Sequence, residues 1–356
     1  MCLGICFQAQ ASSWPLWEGF KQGFISDQGR VIDWQDGART VSEGQVYALF
    51  FALVANDQET FESVLEWSVA NLARGNVADI GMAWLWGQDK VTKSWGVLDA
   101  NPATDAEMFL AYALLEAARL WQRPDWAKLG DQVLARVESQ MIKRQGDRVV
   151  LLPAPFGFEL AQGLRTNPSY LPAWQLAYFA QHSQNPLWFE LLAQLPQLLQ
   201  SSSPHGLPPD WVLVTPEGYA PDSERGTLGS YDAIRCYLWA AMSPAHTDPD
   251  KHALKPVITL LQRQQTAPER WDVATGWTTG VGPVGFEASL ALYATWQQEP
   301  ELAQRLWARV AAQTHDGLVG SPARYYDQVL TLFAQGYAQN RFAFAADGAL
   351  RRGETL

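Results

Sequence analysis

Apolar residues recur at or close to the i, i+3, i+4 and i+7 spacing through most of this chain, the period of a helix with one buried face. The pattern predicts helices over 43–54, 61–72, 106–121, 126–143, 171–182, 186–199, 231–242, 251–264, 286–298, 300–313 and 325–337. With a further one within 14–24, that makes about twelve. Pro- and Gly-rich stretches such as Ser203-Pro204-His205-Gly206-Leu207-Pro208-Pro209 separate them. Strand-like runs are few, and 148–152, followed by Pro153, is the best of them. No polar linker divides the chain, so a single domain is expected over residues 12–345, with 346–356 as a C-terminal tail. Alternating helices without a repeating sequence signature predict an all-α fold, a closed double ring rather than an open solenoid. In such a toroid the inner helices are apolar on most faces, and the loops of one rim carry polar and aromatic side chains. Trp84-Leu85-Trp86-Gly87, Asn167-Pro168-Ser169-Tyr170, Pro209-Asp210-Trp211 and Arg324-Tyr325-Tyr326-Asp327 supply both kinds, which points to a cleft lined with aromatics.

Composition narrows the partners. The chain has 356 residues and is 47 % hydrophobic, enough apolar material to exclude intrinsic disorder. Lys and Arg number 26 against 37 Asp and Glu, so the net charge of −11 lacks the basic footprint of a nucleic-acid binder. No run of 18 apolar residues exists, which excludes a membrane-spanning helix. The 17 tryptophans are several times ordinary usage, and Trp suits stacking on sugar rings as well as filling cores. At the N-terminus, Ala9-Gln10-Ala11 has the small-x-small form of a signal-peptidase site after a short apolar stretch, yet no Lys or Arg precedes Lys21. Two readings stand: residues 1–11 are the remnant of a secretory signal, giving a periplasmic or secreted protein, or an ordinary terminus. Cleavage would remove Cys2 and Cys6 and leave Cys236 alone, without a disulfide framework.

Several chemistries fall away on spacing. Gly280-Val281-Gly282-Pro283-Val284-Gly285 matches G-x-G-x-x-G, but Pro283 removes an amide that a pyrophosphate would need. The five histidines show no zinc-site spacing, so no metal and no organic cofactor is expected. There is no G-x-S-x-G elbow, and Cys236 sits among apolar neighbours.

Carboxylates at helix starts remain. Thr40 and Glu43, and again Thr104 and Glu107, have the spacing of capping boxes, and Asp105 suits a helix N-terminus by its charge. Ser230 is a candidate cap, and Asp232 a candidate i, i+3 partner of Arg235. Gly44 and Gln45 are poor choices for a merely structural first turn. Each acid by itself reads as a helix start. Three of them on one rim of a toroid would instead supply the paired acid and base of glycosidic-bond hydrolysis.

At these segments the chain resembles glycoside hydrolase family 8. The resemblance runs from Trp14 to about Phe344. It is carried by Trp17-Glu18-Gly19-Phe20-Lys21, Gly29-Arg30-Val31-Ile32-Asp33, Ser42-Glu43-Gly44-Gln45, Ala83-Trp84-Leu85-Trp86-Gly87, Asn167-Pro168-Ser169-Tyr170-Leu171-Pro172, Ser230-Tyr231-Asp232-Ala233-Ile234-Arg235 and Val329-Leu330-Thr331-Leu332-Phe333. The family signature A-[ST]-D-[AG]-D is met by Ala103-Thr104-Asp105-Ala106 and departs at Glu107. The resemblance implies an (α/α)6 barrel and endo-hydrolysis of β-1,4-glucan with inversion, as an accessory of bacterial cellulose synthesis, with the cellulose synthase and export complex as partner. It implies Glu43 as general acid, in need of a raised proton affinity, Asp232 as base, and Asp105 holding the distorted sugar. It also implies Tyr170, Trp86, Arg235, Tyr326 and Trp211 at the sugar subsites. Chitosan or mixed-linkage glucan as substrate, or a non-catalytic glucan-binding role in the export complex, are the alternatives.

Overall fold

Proline at the first helical position, where the missing N–H is no loss, opens a set of helices that lie on the outside of the molecule. The computed structural model describes residues 14–244 and 252–353; Cys2, Cys6 and the Ala9-Gln10-Ala11 site lie outside them. In chain order the helices are α1 (Pro15–Phe24), α2 (Ser42–Val54), α3 (Gln58–Leu72), the single turn α4 (Val77–Ile80), α5 (Thr104–Trp121), α6 (Pro124–Gln140), α7 (Ala173–Ser183), α8 (Pro186–Ser202), α9 (Ile234–Met242), α10 (Val257–Arg263), α11 (Val284–Trp296), α12 (Pro300–Ala312) and α13 (Tyr325–Ala338). Those beginning on proline are α1, α6, α8 and α12, and each buries a single stripe.

The other set is buried nearly all round. In α2 only Glu43 escapes full burial, and all of α9 is buried. Six such helices, α2, α5, α7, α9, α11 and α13, form an inner ring that closes as α13 packs on α2. Six more, α1, α3, α6, α8, α10 and α12, surround it. The result is the (α/α)6 barrel. Its centre is plugged by aromatics from successive inner helices: Phe50 stacks on Phe333 at 5.2 Å, Phe333 meets Trp239 at 5.2 Å, and Phe109 meets Trp174 at 5.7 Å. Much of the tryptophan excess is therefore core. Eight of the 17, including Trp17, Trp174, Trp188 and Trp239, are buried.

The connections are unequal. The inner helices α2, α5, α7 and α11 lead to outer ones through turns of two or three residues, as at Gln122, which caps α5 in the left-handed conformation. The returns from outer to inner helices are long, and they carry the strands. The largest sheets are Thr40–Val41, Ala83–Gln88 and Trp95–Pro102, and a four-stranded set of Glu159–Leu160, Gly163–Thr166, Val212–Val214 and Tyr219–Pro221. All inner helices thus begin at the same rim, below this layer, and their positive ends converge there.

Three expected helices are shorter than their apolar periods. The 126–143 segment stops at Gln140, because Ile142–Gln145 pairs as a strand with Arg148–Leu151, the strand expected at 148–152. The 231–242 segment starts at Ile234, with Tyr231–Ala233 in a turn, and of 251–264 only Val257–Arg263 is helical. The tail expected at 346–356 is, up to residue 353, part of the body. Phe342–Phe344 pairs with Leu350–Arg352, Leu350 is buried, and its amide donates to Glu116 Oε2 at 2.7 Å.

Candidate active site

Neither capping box forms. The caps of α2 and α5 are Val41 and Ala103, without side-chain bonds. Thr40 Oγ1 donates instead to Val31 O at 2.7 Å, and Thr104 Oγ1 to Leu152 O at 2.6 Å. Each threonine therefore fastens a strand or loop to the rim, which frees the acids for other partners. Glu107 turns inward and accepts from the Met82 amide at 2.7 Å and from buried Arg136. Gln45 is fully buried and bonds Val31 N, Gly29 O and Ser68 Oγ. Gly44 lies against Tyr325, whose hydroxyl would be 2.9 Å from a Cβ at this position. Packing explains both residues of that unusual first turn.

Glu43, at the second position of α2, Asp105, at the second position of α5, and Asp232, two residues before α9, meet at one buried guanidinium. Arg235 Nη1 donates to Glu43 Oε2 at 2.9 Å and Nη2 to Asp232 Oδ1 at 2.8 Å, realising the expected i, i+3 pair. Nη2 also reaches Ser169 Oγ at 2.9 Å and stands 3.8 Å from Asp105 Oδ2. Asp105 Oδ1 accepts from the Ala106 amide at 2.8 Å, while Oδ2 has no hydrogen-bond partner on the protein. Three carboxylates thus share one cation.

The charge imbalance shows in their proton affinities. Burial first, and then the neighbouring Glu43 charge, push Asp105 up to about 8 against the pull of Arg235. Asp232 rises to about 6, again by burial, with Arg235 opposing and the charges of Asp210 and Glu43 adding. Burial disfavours the Arg235 charge, yet its anionic neighbours hold it well above the usual range. Three carboxyls crowded round one guanidinium thus keep a proton within the cluster near neutral pH, and an acid–base pair needs such a proton.

These groups line a cleft of about 770 Å³. Tyr170 and Trp211 form one wall, with Phe158 stacked on Trp211 at 5.8 Å. Tyr326 lines the cleft too, and its hydroxyl donates to Tyr231 O at 2.7 Å. Asp33, Gln35, Asp36, Arg39 and Arg324 line it as well. The structure therefore brings together Glu43, Asp105, Asp232, Arg235, Tyr170, Tyr326 and Trp211.

Trp86 is the exception, since it does not line this cleft. It packs edge-on against Trp67 at 5.4 Å and stacks on Trp95 at 5.3 Å, with the Arg30 guanidinium 4.3 Å from its ring centre. Trp84 lines the cleft instead. Register shifts lie on both sides of Leu85, so the simple alternation of strand faces fails across these residues. Sequence reasoning also passed over Ser169 and Asp210, although both stand in segments singled out for their rim residues. Among the described residues no cluster of His, Cys, Asp and Glu could hold a metal ion. The G-x-G-x-x-G segment ends with the Gly285 amide bound to Asp327 Oδ1 at 2.9 Å.

The profile of Glycosyl hydrolases family 8 matches residues 1–340. An endoglucanase of Escherichia coli O157:H7 is 40 % identical over 98 % of this chain and 94 % of its own length. One from Xanthomonas axonopodis pv. citri is 42 % identical over 96 % and 90 %. Among solved structures, the endo-1,4-D-glucanase of Vibrio fischeri superposes with a TM-score of 0.86 at 35 % identity, covering 96 % of this chain and 99 % of that one.

Proposed function

The chain belongs to glycosyl hydrolase family 8, and from that premise we propose that it is an endo-acting β-1,4-glucanase that cleaves with inversion. The observation carrying this reading is the single buried Arg235 bridging Glu43 and Asp232, with Asp105 beside them in an aromatic-walled cleft. Glu43 gives its proton to the glycosidic oxygen as the bond to the anomeric carbon breaks. Asp232 takes a proton from the water that attacks the opposite face of that carbon. Asp105 Oδ2, with no protein partner, hydrogen-bonds a hydroxyl of the sugar held at the cleavage point. An inverting pair stands about 6.5–9.5 Å apart so that a water fits, whereas a retaining pair is only about 5–5.5 Å apart. The Arg235 guanidinium stands between the two acids, one nitrogen on each. Tyr170, Trp211 and Trp84 would stack on glucose rings, each contributing on the order of 1 kcal/mol beyond buried area.

Reducing-sugar release from carboxymethylcellulose tests the activity. The wild type should release it, and Glu43→Gln should bind the polymer yet turn over about 10²–10⁴-fold more slowly, the usual worth of a positioned acid. Binding without release by the wild type would favour the non-catalytic glucan-binding role. We propose, from the Ala9-Gln10-Ala11 site, that the chain is periplasmic or secreted, and, from the resemblance to glycoside hydrolase family 8, that it serves as an accessory of cellulose synthesis.

A further inference from the structure

The turn that carries Asp232 is held by a second acid. Asp210, buried between Pro209 and Trp211, accepts from Ser230 N at 2.8 Å and Ala233 N at 2.8 Å through Oδ1, and from Ser230 Oγ at 2.6 Å through Oδ2. These donors bracket Asp232 on both sides. The rest of the turn is fixed equally tightly: a Cβ on Gly229 would lie 2.0 Å from Trp271 Nε1, and Tyr326 binds Tyr231 O. Amides at the start of α9 would ordinarily be satisfied by a local cap, but Ala233, in the cap position, offers none. A full negative charge brought from a separate loop does more than a cap requires. It stands beside a carboxylate that already faces Glu43 on α2 and Asp105 on α5, with Arg235 as the cation and Tyr170 and Tyr326 as the remaining titratable neighbours.

We propose that Asp210 is a positioning residue for the hydrolytic step: it sets the turn so that Asp232 meets Arg235. The inference rests on the reading of Asp232 as base. The charge of Asp210 acts directly on Asp232, in the direction that raises its hold on a proton. A neutral residue of the same shape separates this from simple capping.

The test compares Asp210→Asn, Ser230→Ala and Asp232→Ala on a soluble cello-oligosaccharide. Asp210→Asn should lower kcat about 10–100-fold with KM little changed, since the base loses both alignment and basicity. The acidic limb of its kcat/KM profile should move down by about 0.5–1 pH unit, because one nearby negative charge is gone. Ser230→Ala removes one bond and keeps the charge, so kcat should fall about 3–10-fold with the limb unmoved. A lower melting temperature with unchanged kcat and unchanged limb in Asp210→Asn would overturn the proposal and leave Asp210 a structural cap. If Asp210→Asn does not fold, wild-type kcat in Ser230→Ala overturns it. Wild-type turnover in Asp232→Ala would instead bring down the assignment of the base.

Discussion

Asp105 is the residue on which burial and chemistry conflict most. Its carboxyl is raised to about 8 in the folded protein, against about 4 in an unfolded chain. A group whose folded affinity is raised contributes stability below the unfolded value and loses it as pH climbs through the folded one. Asp105→Asn, which never ionises, should therefore be more resistant to urea than the wild type at pH 8. The advantage should vanish toward pH 4, a gap readable from the two unfolding midpoints. An equal difference at both pH values would show that ionisation plays no part. The two tryptophans of Trp84-Leu85-Trp86 and their neighbour across the cleft offer a second contrast. Trp211→Ala should raise KM about 3–10-fold, the equivalent of one stacked ring, with little change in stability. Trp86→Ala should lower stability and leave KM alone, because its ring serves Arg30, Trp67 and Trp95.

Elements place the acids through their first turns. In α2, Glu43 stands between Ser42 and Gly44, and the close approach of Tyr325 to Gly44 fixes how α13 meets α2 at the cleft. Gly44→Ala gains roughly 0.5–1 kcal/mol of helix propensity. It also drives a methyl group to 2.9 Å from the Tyr325 hydroxyl, and overpacking of this kind costs about 1–3 kcal/mol. The larger effect wins, so the variant should unfold at lower denaturant concentration, with kcat reduced as Glu43 shifts. A stability equal to or above the wild type would mean that Tyr325 swings away freely. The same logic explains the failed capping boxes, whose threonines were taken by Val31 O and Leu152 O across the fold.

For the molecule as a whole, the barrel brings the proposed acid and base together from separate helices. Glu43 comes from α2, and Asp232 from the turn before α9, a helix that packs on α11 and α13 on one side and on α7 on the other. Arg235 spans the opening between the two acids. If Glu43 and Asp232 act as the proposed acid and base with a water between them, the α-anomer is released first from a β-linked glucan. Proton NMR before mutarotation should show it. An initial β-anomer would overturn both the inverting step and the division of labour among the three acids.

The helical period was legible because an α/α barrel repeats one local rule: each helix buries a stripe or a whole surface, and that is written in consecutive residues. The acids were legible as helix starts, and the likeness to glycoside hydrolase family 8 singled out Glu43, Asp105 and Asp232 among them. Local spacing could not settle whether Thr40 caps α2 or bonds Val31 O, since the competing acceptor lies on another segment. Nor could it separate Trp84 from Trp86, because the strand loses its register at Leu85 through pairing with residues more than ten positions away. The burial that lifts Asp105, the sharing of Arg235 among three carboxylates, and the grip of Asp210 on the Asp232 turn are sums over distant segments. They exist only once the ring has closed.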